Sequence, residues 1–166
     1  EKGLDVFSET IEKLERRGVR HRVLVVGEGP ARDWFEGRLN KGVFVGFQKG
    51  ADLGRAVASM DMLFNPSVTE TFGNVTLEAM ACGLPVVAAI ATGSQSLVKE
   101  GLSGRLIRPG ATSEFADALQ HYCENTVARA AAGEAGERAA DRYSWDRVNQ
   151  ALVDIYLRLL RQRGIA

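Results

Sequence analysis

The sequence has no surplus of charge, few cysteines and no long apolar run, and each shortage removes a class of function. Lysine plus arginine number 21 and aspartate plus glutamate number 21, so no overall field draws the chain to nucleic acid. The two cysteines, Cys82 and Cys123, lie far apart and match neither a metal-ligand spacing nor a redox pair. Buried free thiols in a reducing, cytoplasmic setting are expected. No apolar stretch approaches the roughly 20 residues that span a bilayer, and the opening EKGLDVF lacks the character of a signal peptide. It starts abruptly, as a piece of a longer chain would. The two histidines, His21 and His121, have no acid or nucleophile at a diagnostic spacing and are read as surface or helix-face residues.

What is present is a chain of 166 residues, 45% apolar, enough for one domain with a sizeable core. Leu4, Phe7, Ile11 and Leu14 fall at helical spacing before Gly18. HRVLVVG then reads as a buried strand, and the alternation recurs: a helix over 31–39, strand VFVGF, a helix over 53–60, strand MLFNP, a helix over 75–82, strand PVVAA. A short helix near 94–99, strand GRLI and helices over 113–123, 127–142 and 145–160 complete the chain. Strands that are continuous β-branched runs, separated by helices, predict a doubly wound α/β domain with a parallel sheet covered on both faces and a helical C-terminus. The Ala- and Gly-rich ARAAAGEAGERAA is expected to form a surface helix with a weak middle.

Ligands of such sheets sit beyond the carboxyl ends of the strands, and the stretch TETFGNVTLEAMACGLPVVAA, 69–89, lies in that kind of place. A helix beginning near Gly73 or Asn74 offers unpaired amides and a dipole to an anion, and phosphate fits. Glu78 is one turn further in, and Glu70 stands before the turn. A carboxylate beside a phosphate site is tolerable if it accepts bonds from neutral hydroxyls, a ribose diol for Glu78 and a second set of hydroxyls for Glu70. The layout of hydroxyls, phosphate and hydroxyls suits a nucleoside diphosphate sugar. The residues alone leave a second reading open: Glu70 as a solvated loop acid and Glu78 as a charge favourable in a first turn.

The motif ETFGNVTLEAMACGLPVVA, with Glu70 and Glu78 separated by seven residues, closely resembles the retaining family 4 glycosyltransferases of the GT-B fold. EKG at the start, LVVGEGP at 24–30, FVGF at 44–47, GLSGRLIRPG at 101–110 and YSWD at 143–146 extend the likeness in the family's order. The resemblance, which includes bacterial mannosyl and glucosyl transferases, implies a Rossmann-like donor-binding half. Glu70 would contact the donor sugar, the turn of Phe72, Gly73 and Asn74 would bind sugar and diphosphate, and Glu78 would hold the ribose. Lys2 would neutralise the diphosphate, the family's companion arginine preceding residue 1. Gln48 matches a place where backbone groups meet the base in relatives, a side chain too variable there to choose between guanine and uracil; Gly27, at a strand exit, is expected to line the same donor crevice. Ser96 in ATGSQSLV replaces an acid that many relatives carry.

The resemblance further implies that residues 1–166 are a single nucleotide-sugar-binding domain lacking its first, central strand and the acceptor-binding N-terminal domain. Loss of a central strand predicts a gap in the sheet or a strand donated from elsewhere. No cofactor or metal is expected beyond the substrate itself, GDP-mannose or a UDP-sugar, and the isolated chain is expected to be catalytically silent. The acceptor would be a glycan or lipid reached through the absent domain, with membrane-surface contact open to the parent protein at the inner face. A GT-B nucleotide-sugar epimerase, a glycan phosphorylase and a non-catalytic nucleotide-sugar-binding module are the alternatives.

Weaker signals are read plainly. VVGEGP begins like a dinucleotide fingerprint, but Arg32 stands where its third glycine belongs and Pro30 interrupts the turn, so Gly27 and Gly29 are taken as a tight strand exit. Ser67 is taken as a turn residue and Ser144 as a helix N-cap. The basic RLLRQRG is taken as the ordinary end of a helix.

Overall fold

The computed structural model describes residues 2–164. Helices and strands alternate as α1 (Leu4–Arg16), β1 (Val23–Val25), α2 (Arg32–Arg38), β2 (Gly42–Phe44), α3 (Gly50–Ala58), β3 (Leu63–Asn65), α4 (Asn74–Ala81), β4 (Val86–Ala89), α5 (Thr92–Leu97) and β5 (Gly104–Ile107). Helices α6 (Thr112–Glu124), α7 (Thr126–Ala140) and α8 (Trp145–Gln162) follow, with a 3-10 turn at Asp141–Tyr143 before the last. Every strand pairing is parallel. Each element falls where the hydrophobic pattern puts it, with shifts of a few residues at the ends.

The strands form two sheets, β1 with β2 and β3-β4-β5 in that order, and no ladder joins β1 to β3 among the described residues. One helix nevertheless spans both. Phe7 of α1 stacks on Phe64 of β3 with ring centres 4.6 Å apart and meets Phe35 of α2 edge-on at 5.4 Å. Beneath α1 a single core gathers Val23, Val25 and Phe44 from one sheet with Phe64, Val87 and Ile107 from the other. Successive residues of β4 serve opposite faces: Val87 and Ala89 join this core, whereas Val86 and Ala88 join a second core with Ala79, Met80 and Leu84. All four are fully buried, which explains why the strand reads as a continuous apolar run.

The small residues of α7 correct the surface-helix expectation. Ala132, Gly133, Ala135, Gly136 and Ala140 are buried, and a Cβ on Gly133 would lie 2.0 Å from the Gly83 carbonyl oxygen. What looks in sequence like a weak helix is the close approach of α7 to the end of α4. That end is itself held by Gly83 at φ 71°, whose amide donates to Met80 O while Leu84 N donates to Ala79 O, the pair of bonds that closes a helix on a left-handed glycine. Two further corrections are local. Cys82 and Cys123 are free but only partly buried, because each lies near a helix end. Ser144 occupies the N-cap position of α8, yet its hydroxyl makes no capping bond. No described helix is long and apolar enough to cross a membrane.

Candidate functional site

The turn between β3 and α4 is built around Gly73. It sits at φ 92°, ψ 51°, a left-handed conformation that a side chain would strain, although a Cβ there would make only ordinary contacts with Leu97, Gly93 and Thr76. Because the N-cap is glycine and no acid stands in the first turn of α4, no side chain among the described residues caps the helix. Its first amides keep their donor capacity and the positive end of the dipole for another acceptor. Phe72, half exposed before the glycine, meets Tyr143 edge-on at 5.7 Å, so the turn leans on the 3-10 segment before α8. Asn74, the first residue of α4, is exposed.

Glu70 precedes this turn with only 14% of its side chain exposed, and its carboxylate lies 3.6 Å from Lys2 Nζ. Its carbonyl oxygen accepts the Gly93 amide at 2.7 Å. Gly93 leaves no space for a side chain: a Cβ would stand 2.6 Å from Phe72 C and 2.9 Å from Glu70 O. Sequence reasoning missed Gly93 and Tyr143 as supports of the motif. The signal for Gly93 was a glycine inside the short helix of ATGSQSLV, where helix propensity disfavours it and a close backbone approach explains it. Ser96, at the place of the family's acid, donates to Gly93 O at 2.7 Å and so binds to the same support.

Glu78 is exposed on the second turn of α4. Glu78, Glu70, Lys2 and Gly27 line one open cavity of about 1240 Å³. Gly27, at φ 131°, donates its amide to Gly46 O at 2.8 Å and ties the loop after β1 to the loop after β2. Gln48 does not line this cavity; its amide group donates to Val45 O at 2.7 Å within its own loop. Arg32 is engaged locally, 3.3 Å from Glu28 and 3.7 Å from Glu36. Cys82 lies one turn beyond Glu78, and burial pushes its thiol up from the ordinary cysteine range, with the Glu78 carboxylate adding to the shift. Lys2, Glu70 and Glu78 thus share a cavity that Val75 near the start of α4 also lines, while Phe72, Gly73 and Asn74 do not line it; the chemistry suits a ligand with an anionic middle and hydroxylated ends.

The family described as "Glycosyl transferases group 1" matches residues 1–125. The chain belongs to this family. Among curated relatives of this glycosyl transferase domain, sulfoquinovosyl transferase SQD2 of Arabidopsis thaliana is 34% identical over 151 residues, covering 87% of the chain and 29% of the relative. A D-inositol 3-phosphate glycosyltransferase of Saccharomonospora viridis is 35% identical over 170 residues, covering 93% and 39%. Among solved structures, sucrose-phosphate synthase from Thermosynechococcus elongatus superposes with a TM-score of 0.83 at 25% identity, over 97% of the chain and 43% of its own. HepE of Anabaena, crystallised with UDP and glucose, gives 0.78 at 26% identity, over 93% and 44%. The glycosyl transferase chain spans less than half the length of each of these proteins. Its fold is the Rossmann-like half seen in GT-B enzymes.

Proposed function

We propose that the chain is the donor-binding half of a retaining glycosyltransferase, which moves a hexose from a nucleoside diphosphate sugar to a glycan or lipid acceptor held by a separate N-terminal domain. The observation that carries this reading is the uncapped start of α4 at left-handed Gly73, with Glu70 before it, Glu78 one turn in, and both carboxylates on one cavity with Lys2. The diphosphate sits at the amides of Phe72, Gly73 and Asn74 and beside the Lys2 ammonium. As the bond from sugar to phosphate breaks, negative charge grows on the leaving diphosphate, and these fixed dipoles and the cation stabilise it without a metal. Glu70 orients the sugar through its hydroxyls; Glu78 accepts from the ribose. The UDP in the HepE crystals supports a nucleotide as ligand, and the two longer relatives, one named a sulfoquinovosyl transferase and the other a glycosyltransferase, support transfer as the reaction.

The test separates the two acids by calorimetry with UDP, UDP-glucose, GDP and GDP-mannose. Glu78→Gln is expected to weaken the bare diphosphate and the complete donor by the same factor, since both carry the ribose. Glu70→Gln is expected to weaken only the complete donor. A hydrogen bond to a charged group is worth about 1.5–3 kcal/mol, roughly ten- to a hundredfold in dissociation constant. Equal weakening of the bare diphosphate by both substitutions, or no effect of either on any ligand, overturns the assignment.

A further inference from the structure

The amino ends of β1 and β2, at the opposite end of β1 from Gly27, border a second cavity of about 500 Å³. Lys2, Gly27, Glu70 and Glu78 take no part in it. The register that pairs Val23 with Gly42 makes the preceding residues, Arg22 and Lys41, neighbours across the two parallel strands. Adjacent strands lie about 4.8 Å apart, so two cations stand side by side where like charges repel. Both line the cavity, and so does Arg20, two residues before Arg22.

Other cations close by are matched with acids, but these three are not. Arg17 is held 2.8 Å from Asp117 and Arg38 3.2 Å from Glu12, whereas Arg20, Arg22 and Lys41 enter no ion pair among the described residues. Glu15 is the one acid among the described residues of the wall. Gly18, which turns the chain out of α1 at φ 72°, also lines the cavity, so the negative end of that helix reaches it with about half an elementary charge. Three cations thus outweigh the negative charge around them, in a chain whose total charge is zero.

Exposed cations alone are ordinary; here they rim a cavity with an apolar floor. Ile11 and Leu39 on its wall are buried, and Val19 and Val23 are half-buried. His21 donates from Nδ1 to Val19 O at 2.8 Å, which leaves Nε2 of the neutral ring as an acceptor facing away from that bond. Pockets for small ligands span about 300–1,000 Å³ and combine an apolar lining with a few placed polar groups. Arg20, His21 and Arg22 also border the larger cavity, as a partition between the two.

We propose that the cavity at the amino ends of β1 and β2 binds a small organic phosphate monoester, its dianion among Arg20, Arg22 and Lys41 and its carbon body on Ile11, Val19 and Leu39. Guanidinium forks match phosphate oxygens in pairs, and a dianion offsets the local excess of positive charge more fully than a carboxylate does. The site shares no residue with the Gly73 turn, Glu70 or Glu78. It therefore stands whatever ligand the candidate donor site takes.

The test titrates the chain with phenyl phosphate at neutral pH and follows the backbone amide shifts by NMR, with inorganic phosphate and phenyl sulfate in parallel. Saturable shifts are expected over 18–22 and 39–42. Inorganic phosphate, which lacks the body, and phenyl sulfate, which lacks one charge, are each expected to bind those segments about tenfold more weakly. Arg22→Gln combined with Lys41→Gln is expected to weaken phenyl phosphate by about tenfold or more, and Lys2→Gln at the candidate donor site to leave these shifts unchanged. Amide positions elsewhere in the spectrum report that the double variant is folded; Arg20→Gln, which lies outside the strand pair, is a second variant expected to act in the same direction. Shifts confined to 72–75 overturn the proposal, because the phosphate then sits at the Gly73 turn. So do equal affinities for the three probes, which mean diffuse ionic attraction, an affinity that neither variant lowers, and the absence of any saturable shift.

Discussion

The two sheets follow the same strand-helix grammar and end in different states of burial. In the three-stranded half, Val86, Val87, Ala88 and Ala89 are wholly buried, as are Met80 and Phe115. In the two-stranded half no residue of β1 or β2 is buried, α3 buries nothing, and Val43 and Phe47 are 51% and 70% exposed. Propensity does not separate them, since VLV and GVF are as β-prone as VVAA apart from one glycine. Coverage does. β4 has strands on both sides and helices on both faces, whereas β1 has one partner and an open edge. The candidate site draws unequally on the two halves: Glu70, Gly73, Glu78 and Gly93 stand on the packed half, and Gly27 comes from the open one. The Gly73 turn is therefore anchored in the more fully buried half of the molecule.

The largest effect that tests this contrast is a cavity in each half. Phe115 is fully buried and packs against Phe64 at 5.2 Å, so Phe115→Ala is expected to cost about 3–5 kcal/mol in urea unfolding. Phe44, partly buried and edge-on to Phe35 at 5.8 Å, is expected to lose less than about 2 kcal/mol as alanine, since less of its surface leaves water on folding. Equal losses would mean that the halves are packed alike in solution.

A smaller effect, opposite in sign between the halves, comes from adding one methyl group. Gly93→Ala forces a Cβ into Phe72 and Glu70, and about 1–3 kcal/mol of overpacking cost is expected, together with weaker binding of UDP because the Gly73 turn must shift. Gly54 lies in α3 with nothing within 4 Å of a would-be Cβ, so Gly54→Ala is expected to stabilise by about 0.5–1 kcal/mol. Unfolding curves and calorimetry on the two variants decide it. A harmless Gly93→Ala would remove the support assigned to α5.

The contrast also explains what the sequence discloses. Local rules suffice where a residue acts on its own element: the β-branched runs place the strands, and Gly83 marks the end of α4 because a left-handed cap suits glycine. The hallmark turn is legible for the same reason, as glycine and helix start are neighbours in the chain. Gly93 and Gly133 are not legible in this way. Each is required by a backbone far away in sequence, the Glu70–Phe72 turn for one and the Gly83 carbonyl for the other, and a glycine in a helix reads locally as weakness. The division of the sheet is invisible to periodicity too, since β1 and β3 carry the apolar runs of buried strands whether or not a neighbour lies between them.

The finest comparison uses the two thiols, one in each setting. Cys82 follows Glu78 on the packed half, and Cys123 lines the space between the sheets. Burial is the leading cause of a raised pKa at both, but Glu78 adds to it only at Cys82; at Cys123 the secondary influences are Arg129, which opposes, and Asp61 and Glu124, which reinforce. A raised pKa means less thiolate at a given pH below it, hence slower alkylation. Glu78→Gln removes a negative neighbour, so the Cys82 pKa is expected to fall part of the way toward about 8.5. In a Cys123→Ser background the alkylation rate at pH 8 should therefore rise, since more of the thiol is then thiolate. Cys123, followed in a Cys82→Ser background, should keep its rate when Glu78 is changed. If both thiols accelerate together, the substitution has loosened the fold and the effect is not electrostatic. If neither responds, burial alone raises the Cys82 pKa and the Glu78 carboxylate does not act on it in solution.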